Sequence, residues 1–294
     1  MKRILVTGSE GFIGKSLCKK LGQSPEKFDV FTLDIVGNGC NHTCADITLD
    51  NLSDTFREVN PDVVVHLAGN VSVSFSVSNP LEDFNLNAKG TLAVLLATKD
   101  TACKNFVYVT SGGAIYDSSI PIPLNENSPI NPISPYGLSK LLAEGYVRVL
   151  SEARQSGWCS LAFSNVYGSV SDQKQGVIFR LWDDIRNGIR PTIFGEKASR
   201  DFIHVDDAVS ALIKAIEKPV NARLNISSNT STKLVDLLIE IQKIMNSNLI
   251  PIIQELPHAE VEMSQLDNAK AKQLLAWIPV VDLKNGLRRS LQID

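Results

Sequence analysis

The chain has 294 residues, enough to bury a sizeable core as one large domain or as a large domain with a smaller lobe. Its formal net charge of −3, with no basic tract or stripe, argues against a nucleic-acid partner while leaving room for a local positive pocket that takes a diphosphate. Five cysteines read as reduced thiols, the longest apolar runs are strand-length and the first residues enter a strand pattern directly, so neither a signal peptide nor a membrane span is expected and a cytoplasmic protein is.

In chain order, the first element is the apolar run Ile4-Leu5-Val6, which leads through Thr7 into Gly8, Gly11 and Gly14. Three glycines at that spacing suit a phosphate-binding turn. Gly8 permits the bend, Gly11 lets the backbone approach a pyrophosphate, and Gly14 lets the helix expected over 12–21 pack close to the strand. The helix N-terminus then faces the anion. Taken alone, the run also fits ordinary strand-to-helix packing. The next apolar run, 30–33, ends in Asp34, where a carboxylate can accept hydrogen bonds from an adenosine ribose and repel a 2′-phosphate. NAD(H) is therefore expected over NADP(H). Gly14-Lys15-Ser16 also suggests a P-loop phosphotransferase, but the glycine such a loop needs five positions earlier is Ser9.

Cys40-Asn41-His42-Thr43-Cys44 invites a zinc reading, yet no second cluster completes the set of about four ligands. A polar loop is expected there, and no metal. Helical patterns over 52–59, 84–98 and 136–155 alternate with strand runs over 63–67, 106–110 and 160–163, which predicts a parallel sheet with helices on both faces. Right-handed crossovers place a ligand at the carboxyl ends of its strands.

On the last of those helices Tyr136 and Lys140, four residues apart, share a face, so hydroxyl and ammonium can enter one cleft. A nearby cation favours the phenolate of a tyrosine whose free pKa is about 10, bringing it into the range of a working base. After Gly168 the alternation gives way to a polar loop over 169–176 and a helical stretch over 177–186, where a second lobe begins. His66 and His204 read as hydrogen-bonded core residues, and no Gly-x-Ser-x-Gly elbow supports acyl transfer.

Together these residues resemble the extended short-chain dehydrogenase/reductase family, in particular its nucleotide-sugar epimerase and dehydratase branch. The matching stretches are 7–14, His66-Leu67-Ala68-Gly69, Asn87-Ala88-Lys89-Gly90-Thr91, 136–140, Asn165-Val166-Tyr167-Gly168, 200–207 and 267–279. The resemblance implies an α/β chain: a Rossmann-type, doubly wound parallel sheet over 1–165, returning at about 202–228, and a smaller α/β substrate lobe from 166–201 and 229–294. It implies that Tyr136 takes the proton from a sugar hydroxyl while Lys140 lowers its pKa and holds the nicotinamide ribose. Around NAD it implies Gly8, Gly11, Phe12, Ile13, Gly14, Asp34, Asp46, Ile47, Leu67, Ala68, Gly69, Asn87 and Thr110, besides Tyr136 and Lys140. Around a nucleoside-diphosphate sugar it implies Asn165, Val177, Thr192, Phe194 and Arg200 with Ser111 and Tyr136, the guanidinium of Arg200 gripping the diphosphate.

The chain departs from that pattern in three places. The position that in many relatives carries a catalytic hydroxyl is Gly112; Ser111 is the candidate to replace it, with Thr110 one residue earlier. The Asp-Glu pair of dehydratases stands as Gly113-Ala114, and the glutamate of a decarboxylase as Ala114, so neither reaction is expected. Arginines usual before Asn165 and before Asp267 are replaced by Ala162 and by Met263-Ser264-Gln265. What remains is C4 epimerisation of a nucleotide sugar through a transient keto intermediate. The alternatives are an NADH-dependent reductase of a keto-sugar nucleotide and a non-catalytic NAD-binding regulator. The resemblance also implies a homodimer joined through the helices at 84–98 and 136–155, which carry more apolar surface than one sheet face covers.

Overall fold

A computed structural model describes residues 1–169, 171 and 175–291. Val170 and Asp172 to Lys174, part of the loop expected over 169–176, lie outside the described residues. In chain order the first strands are β1 (Lys2–Thr7), β2 (Phe28–Asp34), β3 (His42–Cys44), β4 (Val63–His66), β5 (Asn105–Ser111) and β6 (Gly157–Phe163). There follow β7 (Asn165–Tyr167), β8 (Thr192–Phe194), β9 (Ser199–His204), β10 (Ala222–Ile226), β11 (Ser231–Lys233) and β12 (Ile252–Gln254). Seven of them form one sheet in the order β10-β6-β5-β4-β1-β2-β3, parallel at every pairing. The winding reverses between β1 and β4, which opens a crevice at the carboxyl ends of those two strands.

Alternation along the strands feeds two cores. Ile4 and Val6 point to one face, where Leu17 and Leu21 of the helix Phe12–Leu21 and Val209 and Leu212 of the helix Val205–Glu217 cover them. Leu5 points to the other, against Phe56, Val94 and Val147 from the helices Ser53–Val59, Gly90–Ala97 and Pro135–Ala153. Strands buried on both faces read as unbroken apolar runs, and for that reason they are visible in the sequence. A third core lies under the small sheets β11-β9-β7 and β12-β8, where Leu181, Phe202, Leu237 and Leu287 meet. The chain returns to the main sheet through the helix Val205–Glu217 and β10, pinned where the Asn105 amide donates to the Ala215 carbonyl at 2.9 Å. Ala271, Leu275 and Trp277 also pack into the core under that sheet, although the sequence pattern puts their segment in the second lobe.

Two expectations are corrected here. Residues 42–44, read as part of a polar loop, form the edge strand β3, with Thr32 opposite His42 and Asp34 opposite Cys44. An edge strand three residues long is held by backbone bonds and shows no apolar periodicity. His42 Nδ1 sits 2.8 Å from the Thr32 hydroxyl and the Cys44 thiol donates to the Gly37 carbonyl, so both side chains have protein partners. The helix expected from residue 84 begins earlier, at Pro80, whose ring suits a first helical position. It runs through Phe84 into a wider π turn, Asn85–Lys89, and on to Ala97. That wider turn carries the buried Asn87.

Candidate active site

β1 delivers the chain into a tight turn at Gly8, where φ is +71° and a Cβ would lie 2.7 Å from the Ala68 Cα. A Cβ on Gly14 would meet the Gly8 carbonyl and lie 2.8 Å from the Ser9 Cα, so strand and helix approach as closely as the glycine spacing requires. Gly11 caps the helix Phe12–Leu21 without a side-chain bond, leaving the first-turn N–H groups for an anion. The side chains of Phe12 and Ile13 turn into the core, so backbone N–H is what these two residues can offer a ligand.

Asp34, at the end of β2, is oriented by this turn: Oδ2 accepts from the Glu10 N–H at 2.9 Å and Oδ1 from the Ile35 N–H at 2.8 Å. Gly8, Gly11, Asp34, Asp46, Ile47, Leu67, Ala68 and Gly69 all line one cleft of about 610 Å³ at the switch point. Lys15 and Ser16, which suggested a phosphotransferase loop, are engaged locally. The Lys15 ammonium pairs with Glu10 at 3.4 Å and the Ser16 hydroxyl donates to the Phe12 carbonyl at 3.1 Å. A backbone cradle with no room for a Cβ at Gly8 or Gly14, with the Asp34 carboxylate lining the same cleft, fits a dinucleotide.

Deeper in, the helix Pro135–Ala153 presents Tyr136 and Lys140, 7 % exposed each. Its start is fixed by Ser134, whose hydroxyl accepts from the Gly137 N–H at 3.1 Å, and by Ser76, whose hydroxyl accepts from the Tyr136 N–H at 3.1 Å. Ser111, at the end of β5, reaches the Tyr136 hydroxyl, an interaction that favours the phenolate. Burial outweighs it: the phenol is pushed up to about 12 and the Lys140 ammonium down to about 8, both chiefly by desolvation. The expectation that Lys140 alone sets the phenol low is therefore modified.

The structure also explains the glycine where relatives carry a hydroxyl. A Cβ on Gly112 would collide with the Leu266 side chain and lie 3.2 Å from the Ala162 carbonyl oxygen, so a side chain at that position has no room, and the neighbouring hydroxyl is that of Ser111. Thr110 is buried behind it with Oγ1 unpartnered among the described residues, and Asn87 Oδ1 is likewise unpartnered. Asn87 Oδ1 lies beside the Gly69 turn, which lines the cleft.

Substrate-side candidates come from the small sheets. Asn165 on β7 follows directly from β6, whose Phe163 pairs with Ser111, and Asn165 itself pairs with Phe202 on β9. Arg200 on β9 is nearly buried; its Nη1 donates to the Ser199 and Glu262 carbonyls at 3.0 and 3.1 Å, and Nη2 meets the Glu260 carboxylate at 3.3 Å. The segment after Glu262 carries Ser264 back toward Gly113 and Leu266 against Gly112, linking the Arg200 region to the Ser111 turn. Val177 opens the helix Gly176–Arg186, while Thr192 and Phe194 lie on β8.

Three residues escaped sequence reasoning. Arg180 donates to the Thr192 carbonyl at 2.9 Å and stacks its guanidinium 4.9 Å from the Phe194 ring centre, so a cation faces the aromatic position. Asp83 and Asn70 form a buried pair beside Asn87. None of these contacts leaves a spacing signal. His66 matches its structural reading. The Thr91 hydroxyl donates to the Asn87 carbonyl, so His66 Nε2–H donates to Thr91, Nδ1 accepts from Thr7, and burial holds the ring neutral with a pKa of about 3.

Known proteins share this fold. A putative UDP-glucose 4-epimerase of Methanocaldococcus jannaschii is 34% identical over 297 residues, covering 97% of this chain and 96% of that protein. Among solved structures, the UDP-glucose 4-epimerase of Thermotoga maritima with UDP-glucose superposes with a TM-score of 0.92 at 31% identity, covering 98% of this chain and 97% of that one. That of Thermus thermophilus in complex with NAD does so with a TM-score of 0.89 at 27% identity, covering 98% and 97%. Residues 4–227 match the NAD-dependent epimerase/dehydratase family, and with the glycine cradle, Asp34 and the Tyr136–Lys140 pair in place, the chain belongs to that family and is an NAD-dependent enzyme.

Proposed function

We propose that the protein interconverts the C4 epimers of a nucleoside-diphosphate sugar, with Tyr136 moving the proton of the sugar hydroxyl. The observation that carries this is the buried Tyr136 with Lys140 one turn along the same helix, and Ser111 at the end of β5 beside the phenol. Bound NAD supplies a hydride acceptor that also returns the hydride, and its oxidised ring adds a positive charge. Ser111 orients the reacting oxygen and Lys140 holds a charge beside it. A positioned base of this kind contributes about two to four orders of magnitude in rate.

Gly113 and Ala114 offer no carboxyl group for proton transfer during loss of water, which supports simple epimerisation. Arg200 is suited to the diphosphate and Phe194, backed by Arg180, to the base. A uridine nucleotide is favoured because the similar epimerases are named for UDP-glucose. On this reading residues 1–165 and about 202–228 carry the cofactor, and 166–201 with 229–294 the sugar nucleotide. The test is turnover by purified protein given UDP-glucose or UDP-galactose and no added cofactor. Interconversion with NAD(H) retained on the protein is expected; consumption of one NADH per product would mark a keto-sugar reductase instead.

Leu81, Leu96, Leu138 and Val149 are each at least half exposed on two neighbouring helices. Together they support a homodimer built on that face, with a mass in solution twice that of the chain; a monomer at micromolar concentration contradicts it. Free cysteines at all five positions suit the cytoplasm. Among the described residues no helix is long and apolar enough to cross a membrane.

A further inference from the structure

The carboxylate of Asp83 is fully buried. Its Oδ1 accepts from Asn70 Nδ2 at 2.8 Å and from Asn87 Nδ2 at 2.9 Å, while Oδ2 has no hydrogen-bond partner among the described residues. Two neutral amides fix its position but leave its charge unbalanced, and an isolated buried anion is strongly disfavoured. Lys140 poses the converse problem. Its ammonium is buried and forms no ion pair among the described residues, with only the Tyr108 ring stacked 5.1 Å from Nζ.

Both groups converge on one turn. A Cβ on Gly69 would lie 2.5 Å from Asn87 Oδ1 and 3.6 Å from Lys140 Nζ, and Asn87 is itself clamped by Asp83. We infer that Asp83, clamped beside the Gly69 turn by Asn70 and Asn87, is the buried counter-charge of Lys140, a positioning residue that keeps the ammonium protonated at working pH. This rests on the proposed role of Lys140 beside Tyr136.

The other groups facing Lys140 do not take this part. Tyr136 on its own helix and Tyr108 on β5 are neutral phenols, and His66 at the end of β4 is a neutral imidazole. Glu144, one turn further along the helix, is held by Arg223 at 2.7 Å. Burial pulls the Lys140 ammonium down to about 8, and the charge of Asp83 opposes it. The same charge also disfavours the Tyr136 phenolate, so the arrangement keeps the cation at some expense to the base.

The test is thermal stability against pH for Asp83→Asn and the parent, together with the pH profile of kcat. With a folded value of about 8 below the ordinary 10.5, Lys140 destabilises the fold fully below pH 8, and this is relieved as pH rises toward 10.5. Removing Asp83 lowers the folded value further. The stability deficit of Asp83→Asn should therefore be largest below about pH 7 and shrink by about pH 9, where Lys140 is neutral in both proteins. The descending limb of kcat should move to lower pH by about one unit, an extra loss of roughly tenfold at about pH 8.5 relative to about pH 6.5. Asp83→Ala, which turns no amide toward Asn70 and Asn87, serves where Asp83→Asn is too unstable to purify. A deficit constant across that range with an unmoved limb overturns the inference and leaves Asp83 a purely structural residue. Failure of the proposed chemistry is separate: there, Lys140→Ala would turn over substrate as fast as the parent.

Discussion

Asp34 reaches back 24 residues to the Glu10 N–H, whereas Arg200 is held by the carbonyl of Glu262, 62 residues away, and Leu266 must arrive from the far end of the chain to displace a side chain at Gly112. The Gly8 turn and the Asp34 carboxylate of the cofactor cleft thus come from one β-α-β stretch, while the substrate side draws on two small sheets and a returning segment. A site made from neighbouring chain leaves its geometry in residue spacing, because turn, helix start and next strand end have fixed separations. One made by distant packing does not.

The contrast can be broken by substitution. Asp34→Ala should have the larger effect on binding: loss of a charged acceptor oriented by two backbone N–H groups should weaken NAD at least about tenfold and relax discrimination against NADP, with nucleotide-sugar affinity unchanged. Equal affinity of the parent for NAD and NADP would already refute this use of Asp34. Ser111→Ala should act on the other half and more gently, slowing turnover several-fold, as loss of one oriented hydrogen bond does, with NAD affinity unchanged. Rate loss with normal sugar-nucleotide affinity makes Ser111 the catalytic hydroxyl; a neutral result passes that role to Thr110 or the substrate itself. If both variants damaged both ligands alike, the two halves would not be separable.

Legibility follows the same division. The apolar runs of β1, β4, β5 and β6 are readable because a parallel sheet buries both faces, and the Tyr136–Lys140 spacing because a helix repeats every 3.6 residues. β3 escapes sequence reading because three edge residues carry no periodicity, and the helix start at Pro80 because the pattern strengthens only after Phe84. The depth of Tyr136 and Lys140 is not legible for a different reason: spacing shows that a cation is near, but not how deeply both groups are buried, and burial raises the phenol and lowers the ammonium. Asp83 lies just ahead of the helix expected from residue 84 and carries no spacing signal; its contacts with Asn70 and Asn87 appear only in the fold. Ser111 is legible only as a candidate beside Gly112; the Leu266 side chain that leaves no room at Gly112 is not legible.

The most direct measurement is the turnover of Tyr136→Phe with a UDP-sugar pair, alongside its NAD content. If Tyr136 moves the proton, the variant should retain NAD, because Asp34 and the glycine turn are untouched, and lose at least about a hundredfold in kcat, the lower end of what a positioned acid–base group supplies. A Tyr136→Phe protein that interconverts the epimers as fast as the parent would contradict the central claim.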